Sequence, residues 1–168
     1  MSTKTGKRKA EQDNRVDCES DNAIGERKVA KISGNEEKPT TVCNVKVKYL
    51  RPKYTDIKDW TNDRDNVYIG RAGVVFVDGQ RFPKKQSIWA NPFKVGRDGN
   101  LGHILKKYQQ YIVDKIKTEP STYNVEDLRS RNLGCWCVPT TSTVDSEGPF
   151  VCHGQILLRL LNSKDVKE

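Results

Sequence analysis

The apolar positions of this chain change their spacing along its length, and each change predicts an element. Val45, Val47 and Tyr49 alternate with Asn44, Lys46 and Lys48, the period of two that turns one face of a strand to a core. Residues 51–65 lose that period and predict an irregular connection, with Trp60 as its anchor into the core. Val67-Tyr68-Ile69 predicts a second strand that stops at Gly70-Arg71. Residues 74–77 and 80–82 flank Asp78-Gly79, the pair that favours a two-residue hairpin turn. A long loop, 83–99, carries Trp89-Ala90-Asn91-Pro92-Phe93.

Asn100 is placed to cap a helix running to about Lys117. Leu101, Ile104, Leu105, Tyr108, Tyr111, Ile112 and Ile116 recur at helical spacing, and Pro120 closes the segment. Residues 125–131 predict a short helix and 133–137 a strand. Residues 153–162 predict a final amphipathic helix on Ile156, Leu157, Leu160 and Leu161. Strand and helix alternate in the second half, so the expected fold class is α/β, with a small mixed, partly parallel sheet and flanking helices.

Residues 1–41 contain only Val16, Ile24, Val29 and Ile32 as sizeable aliphatics and no aromatic residue. They cannot bury enough surface to offset their ordering entropy, which predicts a disordered tail followed by a single domain, 42–168. The tail holds the basic clusters Lys7-Arg8-Lys9 and Arg27-Lys28-Val29-Ala30-Lys31, patterns that serve as nuclear-import signals or loose electrostatic arms. Of the +8 net charge, +7 falls in residues 42–168. A basic folded part favours anionic partners: nucleotides, phosphorylated small molecules or nucleic acid. The start of the chain lacks the apolar run of a secretory signal, and nothing approaches the ~20 apolar residues of a membrane span. An intracellular place, cytoplasm or nucleus of a eukaryotic or virus-infected cell, is the expectation. Five cysteines in that setting predict reduced thiols rather than a disulfide scaffold.

Candidate chemistry gathers at two predicted strand ends, where ligands of open α/β sheets settle. One is Gly70-Arg71; the other is Cys135-Trp136-Cys137, leading to Cys152-His153-Gly154 at a helix start. Strand alternation sets Cys135 and Cys137 on one face and Trp136 on the other. Zinc, which takes thiolate and imidazole, fits Cys135 and Cys137 with Cys152 or His153 as further ligands. Against it stand the single residue between the first two cysteines and the adjacency of Cys152 and His153, which argues that neighbours point apart. A catalytic reading instead uses Cys152, His153 and Cys137, with the helix start lowering the thiol pKa. A ligand-binding reading gives the anion to Arg71 and the backbone at Gly70 and Gly154, with Trp89 stacking on a base and Asn91 reading its edge. The bland alternative makes the cysteines core residues and Trp89 an anchor of its loop, the favoured role for that tryptophan.

Val67-Tyr68-Ile69-Gly70-Arg71, Trp89-Ala90-Asn91-Pro92-Phe93, Leu133-Gly134-Cys135-Trp136-Cys137-Val138-Pro139 and Cys152-His153-Gly154 together resemble the domain-of-unknown-function family 4326, over about residues 66–162. That family is scattered through bacteria, bacteriophages and large DNA viruses, and the resemblance implies no established activity. Three departures stand out: the inserted hairpin at 73–82, the long spacer from Thr140 to Val151, and Gln155 where an acidic residue usually follows Cys-His-Gly. The reading reached is a domain that binds, or binds and processes, a nucleotide-like or phosphorylated small molecule at a Cys/His/Arg pocket. Its rival is a non-enzymatic nucleic-acid-binding or host-interaction protein with a structural zinc.

Overall fold

A computed structural model describes residues 38–138 and 149–163. Residues 1–37 of the predicted tail at 1–41, and residues 140–148 of the 140–151 spacer, lie outside the described residues. Three short strands form a parallel sheet: β1 (Thr41–Asn44), β2 (Asn66–Tyr68) and, last in the chain, Asn132–Cys135. Between them the hairpin strands β3 (Val75–Val77) and β4 (Gln80–Phe82) pair antiparallel, so the last strand is β5. The order is β1-β5-β2, which puts the latest strand at the centre. A row of side chains pins the register: Thr41 Oγ1 donates to Asn132 Oδ1 (2.9 Å), and Asn132 Nδ2 donates to Asn66 Oδ1 (2.8 Å). The same three residues pair across the ladder, so a slipped strand would break all of these bonds.

Among the described residues four helices complete the fold: α1 (Val47–Leu50), α2 (Ile57–Asn62), α3 (Leu101–Thr118) and α4 (His153–Asn162), with a 3-10 turn at Val125–Leu128. The sheet is covered on both sides, as parallel sheets require. One side buries Val42, Ile69, Leu133 and Cys135 against Leu105, Tyr108 and Ile112 of α3 and Ile156 and Leu157 of α4. The other packs Cys43, Tyr68 and Trp136 with Val45, Leu50, Ile57 and Trp60 and the inner face of the hairpin. Position 134, between the two flanking strands, takes glycine because a Cβ there would run into the Trp60 ring and Val45.

The long helix, the final helix and the hairpin form where expected. Asn100 Oδ1 accepts the His103 N–H to cap α3, and Asp78 (φ 50°) and Gly79 (φ 73°) make the primed turn. Three expectations need correcting. The alternation at 45–49 is not a strand: β1 lies earlier, at 41–44. Asn44 ends it by accepting the Lys46 N–H and donating to the Val138 carbonyl, and Val47 onward turns into α1. Residues 51–65 are not wholly irregular, because Asp56 caps α2 through the N–H groups of Lys58 and Asp59. Ile57 and Trp60 of that helix are buried one turn apart, as i and i+3 neighbours are. Finally, β5 stops at Cys135, two residues before the predicted end. Among the described residues, no helix is long and apolar enough to cross a membrane.

Candidate metal centre

The carboxyl ends of the three parallel strands share one edge of the sheet, since Asn44 lies opposite Cys135 and Tyr68 opposite Gly134. Cys135 is the last residue of β5, and Cys137, two positions on, keeps the same side. Residues 149–152 return the chain to this edge, where α4 begins. Cys152 is its N-cap, in extended conformation (φ −144°, ψ 144°), with its sulfur accepting the Gly154 N–H at 3.3 Å. Gln155 completes a capping box by accepting the N–H groups of Val151 and Cys152. This break in backbone direction lets consecutive side chains, Cys152 and His153, aim at one point, contrary to the expectation that they diverge.

The sulfurs of Cys135 and Cys137 lie 3.3 Å apart, those of Cys135 and Cys152 3.0 Å, and those of Cys137 and Cys152 2.7 Å. His153 Nδ1 stands 3.1 Å from the Cys137 sulfur, and the four donor atoms all fall within 4.8 Å of one another. His153 Nε2 is 2.8 Å from the Ile69 carbonyl. A carbonyl can only accept, so Nε2 carries hydrogen and Nδ1 is the nitrogen presented to the thiols. The Tyr108 ring stands edge-on to the imidazole at 5.3 Å, and its hydroxyl donates to the Trp89 carbonyl at 2.7 Å. The histidine is thus positioned by strand end, helix start and α3 together. Cys135, Cys152 and His153 are buried, while Cys137 is exposed at the rim.

The electrostatics follow from crowding sulfur in a small volume. Hydrogen bonds from Cys135 and Cys152, joined by the His153 imidazole, hold the Cys137 thiol far below its ordinary range. Hydrogen bonds to Cys137 and Cys152, with burial besides, push the Cys135 thiol far above its ordinary range. Burial pulls the His153 imidazole down, but its bonds to Cys137 and Cys152 and their charge more than offset this and raise it to about 10.

The other sequence candidates have different surroundings. Arg71 Nε donates to the Asn91 carbonyl (2.8 Å) and Nη2 to the Phe93 carbonyl (2.5 Å), so the guanidinium is engaged with the loop. Asn91 is buried and accepts the Phe93 N–H through Oδ1. Trp89 is buried with its ring edge-on to Tyr123 at 5.7 Å, in the anchoring role. The Gly70 carbonyl accepts the Ser87 N–H. Tyr68 was not anticipated: its hydroxyl accepts from Trp136 Nε1 (3.0 Å) and donates to the Arg71 carbonyl (2.8 Å), linking strand end to loop. Burial, against the opposing Trp136 bond, pushes its phenol up to about 12. The missed ligand partner is the Ile69 carbonyl, a backbone group that leaves no trace in residue types.

Residues 53–163 match the family described as Domain of unknown function (DUF4326). An uncharacterized protein of Acanthamoeba polyphaga mimivirus is 32% identical over 96 residues, which cover 56% of this chain. The matched stretch spans 65% of that relative's length. No solved structure matches the chain.

Proposed function

We propose that this chain, which belongs to the DUF4326 family, is a zinc-binding α/β module whose Cys135, Cys137, Cys152 and His153 hold one ion. The observation that carries the reading is the convergence of three sulfurs and one imidazole nitrogen, with the far nitrogen of that imidazole anchored to the Ile69 carbonyl. Metal-bound histidines characteristically donate their second nitrogen to such a carbonyl, which fixes tautomer and ring orientation. Soft thiolates with imidazole select zinc among common divalent ions. A tetrahedron with Zn–S of about 2.3 Å has sulfur–sulfur edges of roughly 3.8 Å, so the present 2.7–3.3 Å separations need to open by about 1 Å or less.

Four protein ligands fill a tetrahedral shell, which makes the site structural rather than one with an open catalytic position. Its work is to tie the end of β5 to the entry of α4 across the intervening segment. This reading is favoured over an anion held by Arg71 and the start of α4. The Gly154 and Gln155 N–H groups already bond to the sulfur and carbonyl of Cys152, and two of the arginine's nitrogens bond the loop.

The test is elemental analysis of the full chain purified under reducing conditions, followed by cobalt(II) substitution. One zinc per chain and an intense thiolate-to-cobalt charge-transfer band are expected. Cys152→Ser keeps a helix-capping oxygen but loses the thiolate, so it should fold with metal content cut at least tenfold. Full metal content in both Cys152→Ser and Cys137→Ser, or a purified wild-type chain with no affinity for zinc, would overturn the proposal.

A further inference from the structure

The positive charge of the described residues is not spread over the surface. Between Gly79 and Lys107 the sequence has seven Lys or Arg and one Asp, a net of +6, and residues 38–50 add +3 through Lys38, Lys46 and Lys48, whereas residues 51–78 and 108–138 are each neutral. All seven of these basic residues are exposed. Among the described residues only Arg97 of the seven pairs with an acid, its neighbour Asp98. Four ties to the segment at 70–73 hold the loop that carries them: the Ser87 N–H to the Gly70 carbonyl, the Gly73 N–H to the Pro83 carbonyl, and the two bonds of Arg71 to the carbonyls of Asn91 and Phe93. Lys84 and Lys85 therefore leave one end of a fastened loop and Lys94 and Arg97 the other. Lys107 joins them, with Nζ on the Asp98 carbonyl (3.1 Å) and over the Phe93 ring. Beside it Lys106, Lys107, Asn100, Gly102 and His103 line a surface depression of about 400 Å³.

The same stretch exposes apolar side chains out of proportion to the rest. Of the seven large hydrophobic residues exposed among the described residues, five fall between Val74 and Leu101, led by Phe76 (66% exposed) and Val95 (62%). Arg81 covers the Phe76 ring at 4.9 Å, leaving an exposed aromatic braced by a cation. Cations interleaved with exposed apolar and aromatic groups match a polymer with regularly spaced phosphates and accessible base faces.

We infer that the loop at 83–99, together with the hairpin that precedes it and the first turns of α3 that follow it, binds single-stranded nucleic acid. A duplex stacks its bases on one another and offers Phe76 and Val95 little, which favours the single strand. An anionic membrane is best met by a helix with its apolar side outward, but the apolar side of α3 is spent in the core. The inference is independent of the metal centre, because none of these residues belongs to the Cys/His cluster.

The test uses the full, metal-replete chain and a fluorescein-labelled, mixed-sequence single-stranded DNA, read by anisotropy across a salt series. Lys84→Glu/Lys106→Glu should weaken binding at least tenfold and reduce the salt slope by about 1.4, the share of two phosphate contacts on a single strand. Lys46→Glu/Lys117→Glu makes the same change of net charge elsewhere and should cost less than threefold. Phe76→Ala should lose about fivefold or more with the slope unchanged, as loss of stacking does. Equal losses in the two charge-reversed variants would overturn the inference, as would tighter binding to the matching duplex or to phosphatidylserine vesicles. So would a wild-type chain that does not bind the strand. Metal content measured on the same samples separates this result from the zinc proposal.

Discussion

Replacing Arg71 with methionine distinguishes a loop clamp from an anion-binding residue. The guanidinium makes two charge-assisted bonds, Nε to the Asn91 carbonyl at 2.8 Å and Nη2 to the Phe93 carbonyl at 2.5 Å. Bonds to a charged partner contribute about 1.5–3 kcal/mol each. The arginine is only part-buried, so water reaches the freed carbonyls and the lower end applies. Methionine keeps the apolar stem in place, which leaves an expected loss of about 2–3 kcal/mol. For a body of this size that is a fall in Tm of roughly 10 °C. Arg71→Lys preserves the charge but not the planar fork and should fall between wild type and Arg71→Met. Urea unfolding gives the stability, and hydrogen exchange at the amides of Ser87 and Phe93 reports the loop directly. Stability within about 0.5 kcal/mol of wild type, the range of an ordinary surface change, together with unaltered exchange, would refute the clamp. Zinc content should not change in either variant.

Gly134→Ala should destabilise by about 3 kcal/mol, the upper part of the range for overpacking, because the new methyl meets the buried Trp60 ring while β5 is held on both sides. Urea unfolding checks it, and a loss under about 1 kcal/mol would mean that the two packed layers yield more readily than this structure implies. Asp98 supplies a pH-dependent fastening: first the Arg97 guanidinium and then the Lys94 N–H hold its carboxyl at about 2, below the usual 3.8. Its contribution to holding the turn at 94–99 should be complete above about pH 4 and lost as pH falls through about 2. Chemical shifts of the Lys94 amide across that interval give the answer, and a titration midpoint near 3.8 would contradict it.

Periodic and local signals were legible without coordinates. The final helix, the hairpin with its Asp78-Gly79 turn, and the cap at Asn100 are each written within a few consecutive residues, and each formed as read. So is the alternation that puts Cys135 and Cys137 together and Trp136 across the sheet. The strand expected at 45–49 failed because its alternation is real but belongs to a one-turn helix, once Asn44 turns its side chain onto the Lys46 amide. A six-residue helix at 57–62 is too short for periodicity to announce it, and only the cap at Asp56 with the Ile57–Trp60 pair marks it.

Composition, the spacing of apolar residues and turn chemistry determined by themselves that this is a basic α/β domain with three thiols and a histidine near predicted strand and helix ends. They could not determine that Cys152 and His153 aim at the same point, because that depends on the N-cap geometry at the start of α4. Nor could they determine that Arg71 is taken up by the carbonyls of Asn91 and Phe93, some twenty residues away. Both outcomes are directions of side chains relative to distant backbone. Placing β5 between β1 and β2 sets those directions, and no local stretch of sequence encodes them.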